Sequence, residues 1–284
     1  MSFLTRACLP LVVLLTMPLH QGHGKELLMQ RAPRLMVHLV SKYEHVLLRI
    51  TNYLSSTSWI YEHALSRRLV ELHNRAAAKT LTGEILNLAE SRQLIERIAE
   101  AGYTIAVGTC PCRRALHKIS DTSPNNTDMV FGRLADEYLD HHPGMYYRIS
   151  GEEALELLES FDRLGFVHNL LGYPMQERAA YVLCNCNRDV CIPMKAQIER
   201  GYPAFRKGRS VAAVDAGACL GAEECGLCLQ RCHFGARMVD GCVVSVESDK
   251  CYGCGLCVAT CRGGATSLER KPGAELIFAR NVID

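Results

Sequence analysis

Two cysteine quartets near the end of the chain limit its fold more than any other feature. The run SDKCYGCGLCVATCRGGA holds Cys251, Cys254, Cys257 and Cys261, spaced C-x2-C-x2-C-x3-C. Upstream, GACLGAEECGLCLQRCHFGA holds Cys219, Cys225, Cys228 and Cys232, spaced C-x5-C-x2-C-x3-C. The shared CGLC core and trailing GA make an internal repeat of about 30 residues. Successive C-x2-C steps wrap a loop so that three thiolates face one metal cluster, while the fourth cysteine opens a helix that leads to another. The chain carries 15 cysteines in all. Their tight C-x-C and C-x-x-C grouping points to metal or iron–sulfur ligation in a reducing compartment, not to a disulfide scaffold.

On these motifs, residues 211–272 resemble bacterial-type dicluster ferredoxins. The resemblance implies two [4Fe–4S] clusters. One would take Cys219, Cys225 and Cys228 with Cys261, the other Cys251, Cys254 and Cys257 with Cys232. Between the quartets, ARMVDGCVVSV reads as two short strands around Asp240-Gly241, a hairpin turn signal that matches that family's layout. The chain departs from the family in two ways. His233 and Arg262 stand where a proline follows the fourth cysteine, and three extra residues separate Cys219 from Cys225, an insertion expected to loosen Cys219 as a ligand. Arg262 beside a cluster would raise its potential; otherwise it is a solvated side chain. His233 reads as a residue of the helix start. Paired zinc knuckles would lack the doubled spacing.

Seven cysteines lie outside the quartets. Cys8 sits in the N-terminal run, and Cys242 follows the hairpin turn, where a free cysteine is expected to pack as a small hydrophobe. The other five form two groups in matching surroundings. NLAESRQLIERIAEAG starts with an Asn87…Glu90 capping pattern and stops at Gly102, and SGEEALELLESFDRLG starts with Ser150…Glu153 and stops at Gly165. The first helix leads to the strand-like run YTIAVGTCPC, ending in Cys110 and Cys112. The second leads on to AAYVLCNC, ending in Cys184 and Cys186. Two such strands lying side by side would bring both C-x-C pairs to one edge, with Cys191 curling back before the helix IPMKAQIERG.

The elements CPCR (Cys110, Cys112, Arg113), VH (Val167, His168) and CNC (Cys184, Cys186) with Cys191 resemble a broader group of bacterial iron–sulfur proteins. In that group such motifs precede a C-terminal dicluster ferredoxin, and the likeness spans about residues 84–272. Asn187, Arg188 and Asp189 stand where the group often carries further cysteines. Five thiols still suffice for one four-ligand site. That site reads as a third [4Fe–4S] cluster; as a zinc site held by four cysteines, or by three with His168 or His117; or as a redox dithiol whose pKa is lowered by Arg113, Arg114 or Arg188. His141 and His142, before Pro143, read as a helix end.

The N-terminal run from Ala7 to Leu19 imitates a signal peptide, but it contains Pro10 and Pro18 and is followed by no small-x-small cleavage site. It is too short to span a bilayer as a helix. From Pro33 a helical face recurs at Leu35, Met36, Leu39, Val40, Tyr43, Val46, Leu47, Ile50 and Leu54, and a second helix is expected from Trp59 to Lys79. The net charge of +2 is carried with no dense basic, aromatic-interleaved stripe, which argues against a nucleic-acid partner. No G-x-G-x-x-G fingerprint is present.

The expected fold class is α+β. An apolar leader or interfacial segment (1–24) and a helical region (25–80) precede a mixed α/β domain with the C-x-C motifs (81–210). A dicluster ferredoxin domain (211–272) and a tail (273–284) follow. The expected function is one-electron transfer, with a redox partner protein or a membrane-associated oxidoreductase complex as counterpart. The alternatives are a reductase acting at the third centre and a redox-sensing protein. The expected location is cytoplasmic, with membrane-surface association through the N-terminal region as a further option.

Overall fold

A computed structural model describes residues 26–78, 83–172 and 181–276. The N-terminal apolar run, Cys8 and the last eight residues lie outside the described residues. These form ten helices and eleven strands in a mixed α/β arrangement.

The first three helices are α1 (Glu26–Ser56), α2 (Ser58–Glu62) and α3 (Ala64–Ala78). Helix α1 starts ahead of Pro33 and runs through it, giving up the one backbone bond that proline cannot donate. The single helix expected from Trp59 is broken at His63, whose backbone is extended. The break has a local cause. His63 Nδ1 donates to the Trp59 carbonyl (3.0 Å) and Ser66 Oγ to that of Ile60 (2.6 Å), taking acceptors that a continuous helix would use. On α1 the side facing the protein carries Glu44, Leu47 and Leu48, whereas Tyr43, Val46 and Ile50 of the expected apolar face are exposed. Among the described residues, no helix is long and apolar enough to cross a membrane.

The central sheet has seven strands: β1 (Gly83–Leu86), β2 (Ile105–Thr109), β3 (Asn126–Phe131), β4 (Tyr146–Ile149), β5 (Val167–Gly172), β6 (Tyr181–Cys186) and β7 (Phe205–Arg206). Their order is β4-β2-β3-β6-β5-β1-β7, and all neighbours are antiparallel except β1 and β7. Helices α4 (Leu88–Glu100) and α7 (Gly151–Leu164) cover one face. Both begin with the expected capping box: Glu90 N donates to Asn87 Oδ1 (3.0 Å), and Glu153 N to Ser150 Oγ (3.1 Å). Leu94, Ile95, Ile98, Leu158 and Phe161 meet Val107, Met129, Phe131 and Leu183 in the main core. At ~25 cal/mol per Å2 of apolar surface removed from water, this layer is the main source of stability.

Strand alternation turns Ala106, Val130 and Val182 to the other face. There lie α1, α5 (Pro111–Leu116), α6 (Arg133–His141) and α8 (Ile192–Arg200), with α1 packed on the other three. Beyond the sheet, β8 (Ser210–Val214) pairs with β11 (Thr266–Arg270), and β9 (Arg237–Asp240) with β10 (Val243–Val246) as the expected hairpin. Short helices α9 (Leu227–Arg231) and α10 (Leu256–Ala259) sit between them. Three contacts fasten this tail to the sheet layer. Arg209 Nε donates to Glu90 Oε1 (2.6 Å), Arg231 to the Arg163 carbonyl (2.9 Å), and His233 Nε2 to the Gly165 carbonyl (2.9 Å).

Candidate metal centres

The five upstream cysteines line one cavity of about 60 Å3, together with Glu44, Leu48, Asp128, Asn169 and Phe205. Strands β2 and β6 are not side by side as expected. Strand β3 runs between them, antiparallel to both, so β2 and β6 still end at the same edge. The register sets Gly108, Asp128, Cys184 and Asn169 in one row across β2, β3, β6 and β5. Residues in such a row point to one face, and here it is the face under α1. Gly108 is glycine for a reason of space. A Cβ there would meet the Tyr146 ring at 2.3 Å, and that ring must cross Gly108 for Tyr146 Oη to donate to Asp128 Oδ2 (2.6 Å).

Cys110 caps α5 and Cys112 follows within it, Cys186 ends β6, and Cys191 caps α8. All four are buried. Cys110 and Cys112, Cys112 and Cys191, and Cys191 and Cys186 lie near enough to shift one another's titration. Cys184 is different: its Sγ donates to Asp128 Oδ1 at 3.1 Å. The contact with Cys112 and then burial push the Cys110 thiol well up. For Cys186 the contact with Cys191 pulls down, but burial and the neighbouring thiols outweigh it and leave the group at about 11. Crowded, buried thiols of this kind stay protonated unless a cation takes the proton's place.

The surroundings of this cavity are acidic, which the sequence reading missed. Burial and the charge of Asp128 raise the Glu44 carboxyl to about 8, even though Tyr138 Oη donates to its Oε2 at 2.5 Å. Burial likewise raises Asp128, against the hydrogen bonds from Tyr146 and Cys184. A signal for each was present: Asp128 interrupts the apolar run of β3, and Glu44 lies on the helical stripe between Val40 and Leu47. Neither expected histidine lines the cavity. His168 is buried with Nδ1 on Asn185 Oδ1 (2.7 Å) and Nε2 towards Asp162, and His117 meets Arg49 (3.1 Å). Alternation along β5 explains the first, since Asn169 takes the cavity side. Arg113 bonds the Lys118 carbonyl and Ser123, away from the thiols.

In the tail, Cys219, Cys225, Cys228 and Cys261 line one cavity, and Cys232, Cys251, Cys254 and Cys257 line another. Each quartet thus gives its last cysteine to the other's cavity. Gly226 (φ 57°) and Gly255 (φ 84°), the glycines of the two CGLC cores, take the left-handed conformation that starts α9 and α10. The insertion after Cys219 does not remove it from its cavity. It folds as a turn, with Cys225 N on the Gly221 carbonyl (3.2 Å) and Ala222 N on that of Cys242 (3.3 Å). Backbone N–H groups also reach sulfur: Ala236 N donates to Cys232 Sγ (3.2 Å) and Ala212 N to Cys251 Sγ (3.5 Å). Burial raises the Cys261 thiol, but hydrogen bonds from Thr266 and nearby backbone N–H groups outweigh this and hold it below the usual range.

Arg237 lines both tail cavities and is only 7% exposed. Its charge acts on Cys228 and Cys257, yet its two terminal nitrogens reach no oxygen acceptor among the described residues. A buried guanidinium without a carboxylate, between two sets of four sulfurs, suits centres of net negative charge on either side. Arg262, the cation singled out from sequence, is exposed, and so is Cys242, which sits in the hairpin turn and does not pack. All-sulfur donor sets fit soft metal centres, iron–sulfur or zinc. Between the second tail cavity and the upstream one, Tyr252, Leu256, Phe205, Cys254, Cys186 and Cys191 share a single apolar cluster. Comparison with protein-family models, curated proteins and solved structures returns no match to this chain.

Proposed function

We propose that the chain is an iron–sulfur electron-transfer protein or subunit, with two [4Fe–4S] clusters in its tail and a third centre upstream. The observation that carries this reading is the interleaved division of the tail cysteines, three from one motif with the last of the other. Zinc knuckles close on neighbouring residues and need no exchange of this kind, whereas paired cubanes of the dicluster ferredoxin type have it. The clusters, when bound, supply reversible one-electron chemistry at potentials set by charge, hydrogen bonds and exposure.

The chain's own residues would do the rest. Arg237 offsets negative charge at both tail sites and favours their reduced forms. Ala212, Ala236 and Thr266 donate hydrogen bonds to ligand sulfurs. The apolar cluster around Tyr252, Phe205 and Leu256 keeps water from between the tail and the upstream site. Upstream, Cys110, Cys112, Cys186 and Cys191 are assigned as the ligand set because they are buried around one cavity, while Cys184 is engaged by Asp128. The counterpart is a redox partner protein or membrane-associated complex, and the thiol-rich composition suits a reducing, cytoplasmic setting.

Metal analysis with EPR on anaerobically purified protein tests the reading. About twelve irons per chain and three reducible signals are expected. Eight irons with one zinc would make the upstream site structural.

A second reading has its own observation. Cys184, Asp128 and Glu44 place exchangeable protons in the upstream cavity, as a centre that reduces a small bound substrate would require. A plain electron carrier would hold its upstream potential nearly constant with pH. A proton-coupled centre would lose about 59 mV per pH unit for each electron and proton taken up together.

A further inference from the structure

Apart from the cysteine cavities, three donor atoms converge where α1 meets α6. His38 Nδ1 lies 3.4 Å from Glu137 Oε2, His141 Nε2 lies 3.2 Å from the same oxygen, and the two ring nitrogens are 2.9 Å apart. Glu137 and His141 are one turn apart on α6, which sets both side chains on one face, and His38 comes from α1 across the interface.

With the carboxylate ionised, hydrogen bonds within the triangle cannot satisfy all three of its edges. Of the three atoms, only the two ring nitrogens can then bring a proton. If both do, two N–H groups confront each other at 2.9 Å. If only His141 does, a His38 lone pair faces the carboxylate oxygen; if only His38 does, the His141 lone pair does so. One edge is repulsive in every case. A cation removes the conflict by accepting all three lone pairs. The dimensions agree: ligand atoms about 2.0–2.1 Å from a metal sit about 2.9 Å apart at octahedral angles and about 3.3 Å apart at tetrahedral ones. The observed edges cover the same range.

We propose that His38, Glu137 and His141 form a site for a first-row divalent cation of the zinc and ferrous class, which fastens α1 to α6. Two imidazoles and one carboxylate are the donors such ions prefer. The side chains are 43%, 22% and 21% exposed, so water reaches the remaining coordination positions. The site has a structural consequence as well. Glu44 follows His38 by about 9 Å along the same helix, and Glu44 with Leu48 lines the upstream cysteine cavity. A cation at His38 therefore holds the helix that roofs that cavity.

The test uses the full chain, purified anaerobically, equilibrated with micromolar Zn2+ and washed free of excess. Wild type is compared with Glu137→Gln and His38→Gln, the latter chosen because His38 is the most exposed of the three. Cysteine-bound metal is common to all three proteins and cancels. Wild type should retain one more zinc per chain than either variant, with nitrogen and oxygen neighbours at about 2.0–2.1 Å by X-ray absorption and no added sulfur at about 2.3 Å. Zn2+ should also raise the Tm of wild type by more than that of either variant. Equal zinc in all three proteins, or a difference made up of sulfur neighbours, would leave a hydrogen-bonded cluster and overturn the site.

Discussion

At the scale of single residues, the five upstream cysteines separate by the company they keep. Cys184 donates a hydrogen bond to Asp128, and the other four are buried around the same cavity with titrations coupled in pairs. Cys184→Ala should therefore keep full metal content and the upstream EPR signal. In that background, alanine at Cys110, Cys112, Cys186 or Cys191 should abolish the signal, since no spare thiol remains. Loss of metal in Cys184→Ala alone would reverse the assignment. Arg237 makes a second residue-level prediction. Arg237→Met should lower the potentials of both tail centres together, by on the order of 50 mV or more, since 59 mV is about 1.4 kcal/mol for one electron. Redox titration followed by EPR reads this, and a change confined to one centre would contradict a shared role. The cysteines were legible from spacing alone. Arg237 was not, because its burial between two cavities depends on the β9–β10 hairpin folding back between the two motifs. Arg262, adjacent to a cysteine in sequence, points to solvent.

Among the secondary-structure elements, the capping boxes show how far local chemistry reaches. Asn87 and Ser150 start α4 and α7 as their sequences require, because the motif satisfies backbone donors within four residues. The two caps differ in surroundings. Glu90, the partner of Asn87, also holds Arg209 at the root of the tail, while Glu153 is at the surface. Asn87→Ala should cost about 1 kcal/mol and lower the Tm by about 2–4 °C. Differential scanning calorimetry should show no smaller loss for Asn87→Ala than for Ser150→Ala. Strand order was not legible in the same way. Expecting β2 beside β6 followed from the similar segments that lead into them. Nothing in either segment shows that NTDMVF inserts between them as β3. That insertion is a long-range pairing, and it brings Asp128 to the thiols.

For the molecule as a whole, α1 joins the N-terminal helices to the cysteine cavity, which periodicity alone could not show. The sequence indicated a helix with an apolar stripe. The structure turns Glu44 inward instead of Tyr43, because α5, α6 and α8 together form the floor on which α1 lies. A folded-state pKa of about 8 for Glu44 makes stability depend on pH. The folded chain holds this proton while the unfolded carboxyl, near its ordinary value, has released it. Stability should therefore fall as pH rises from about 4.5 to about 8, by up to roughly 1.4 kcal/mol per pH unit. Glu44→Gln should flatten that slope in urea titrations at several pH values; an unchanged slope would mean that Glu44 is already ionised in the native protein. The exchange of last cysteines in the tail has a consequence for synthesis. Cys261 is made last of the eight, and the cavity of the first quartet has only three sulfurs until it leaves the ribosome. The second quartet's cavity is fully translated once Cys257 is made, because its borrowed residue, Cys232, was made earlier. The site encoded first is thus the last to be completed, and a chain stopped after Thr260 would leave it a ligand short while its neighbour keeps all four cysteines.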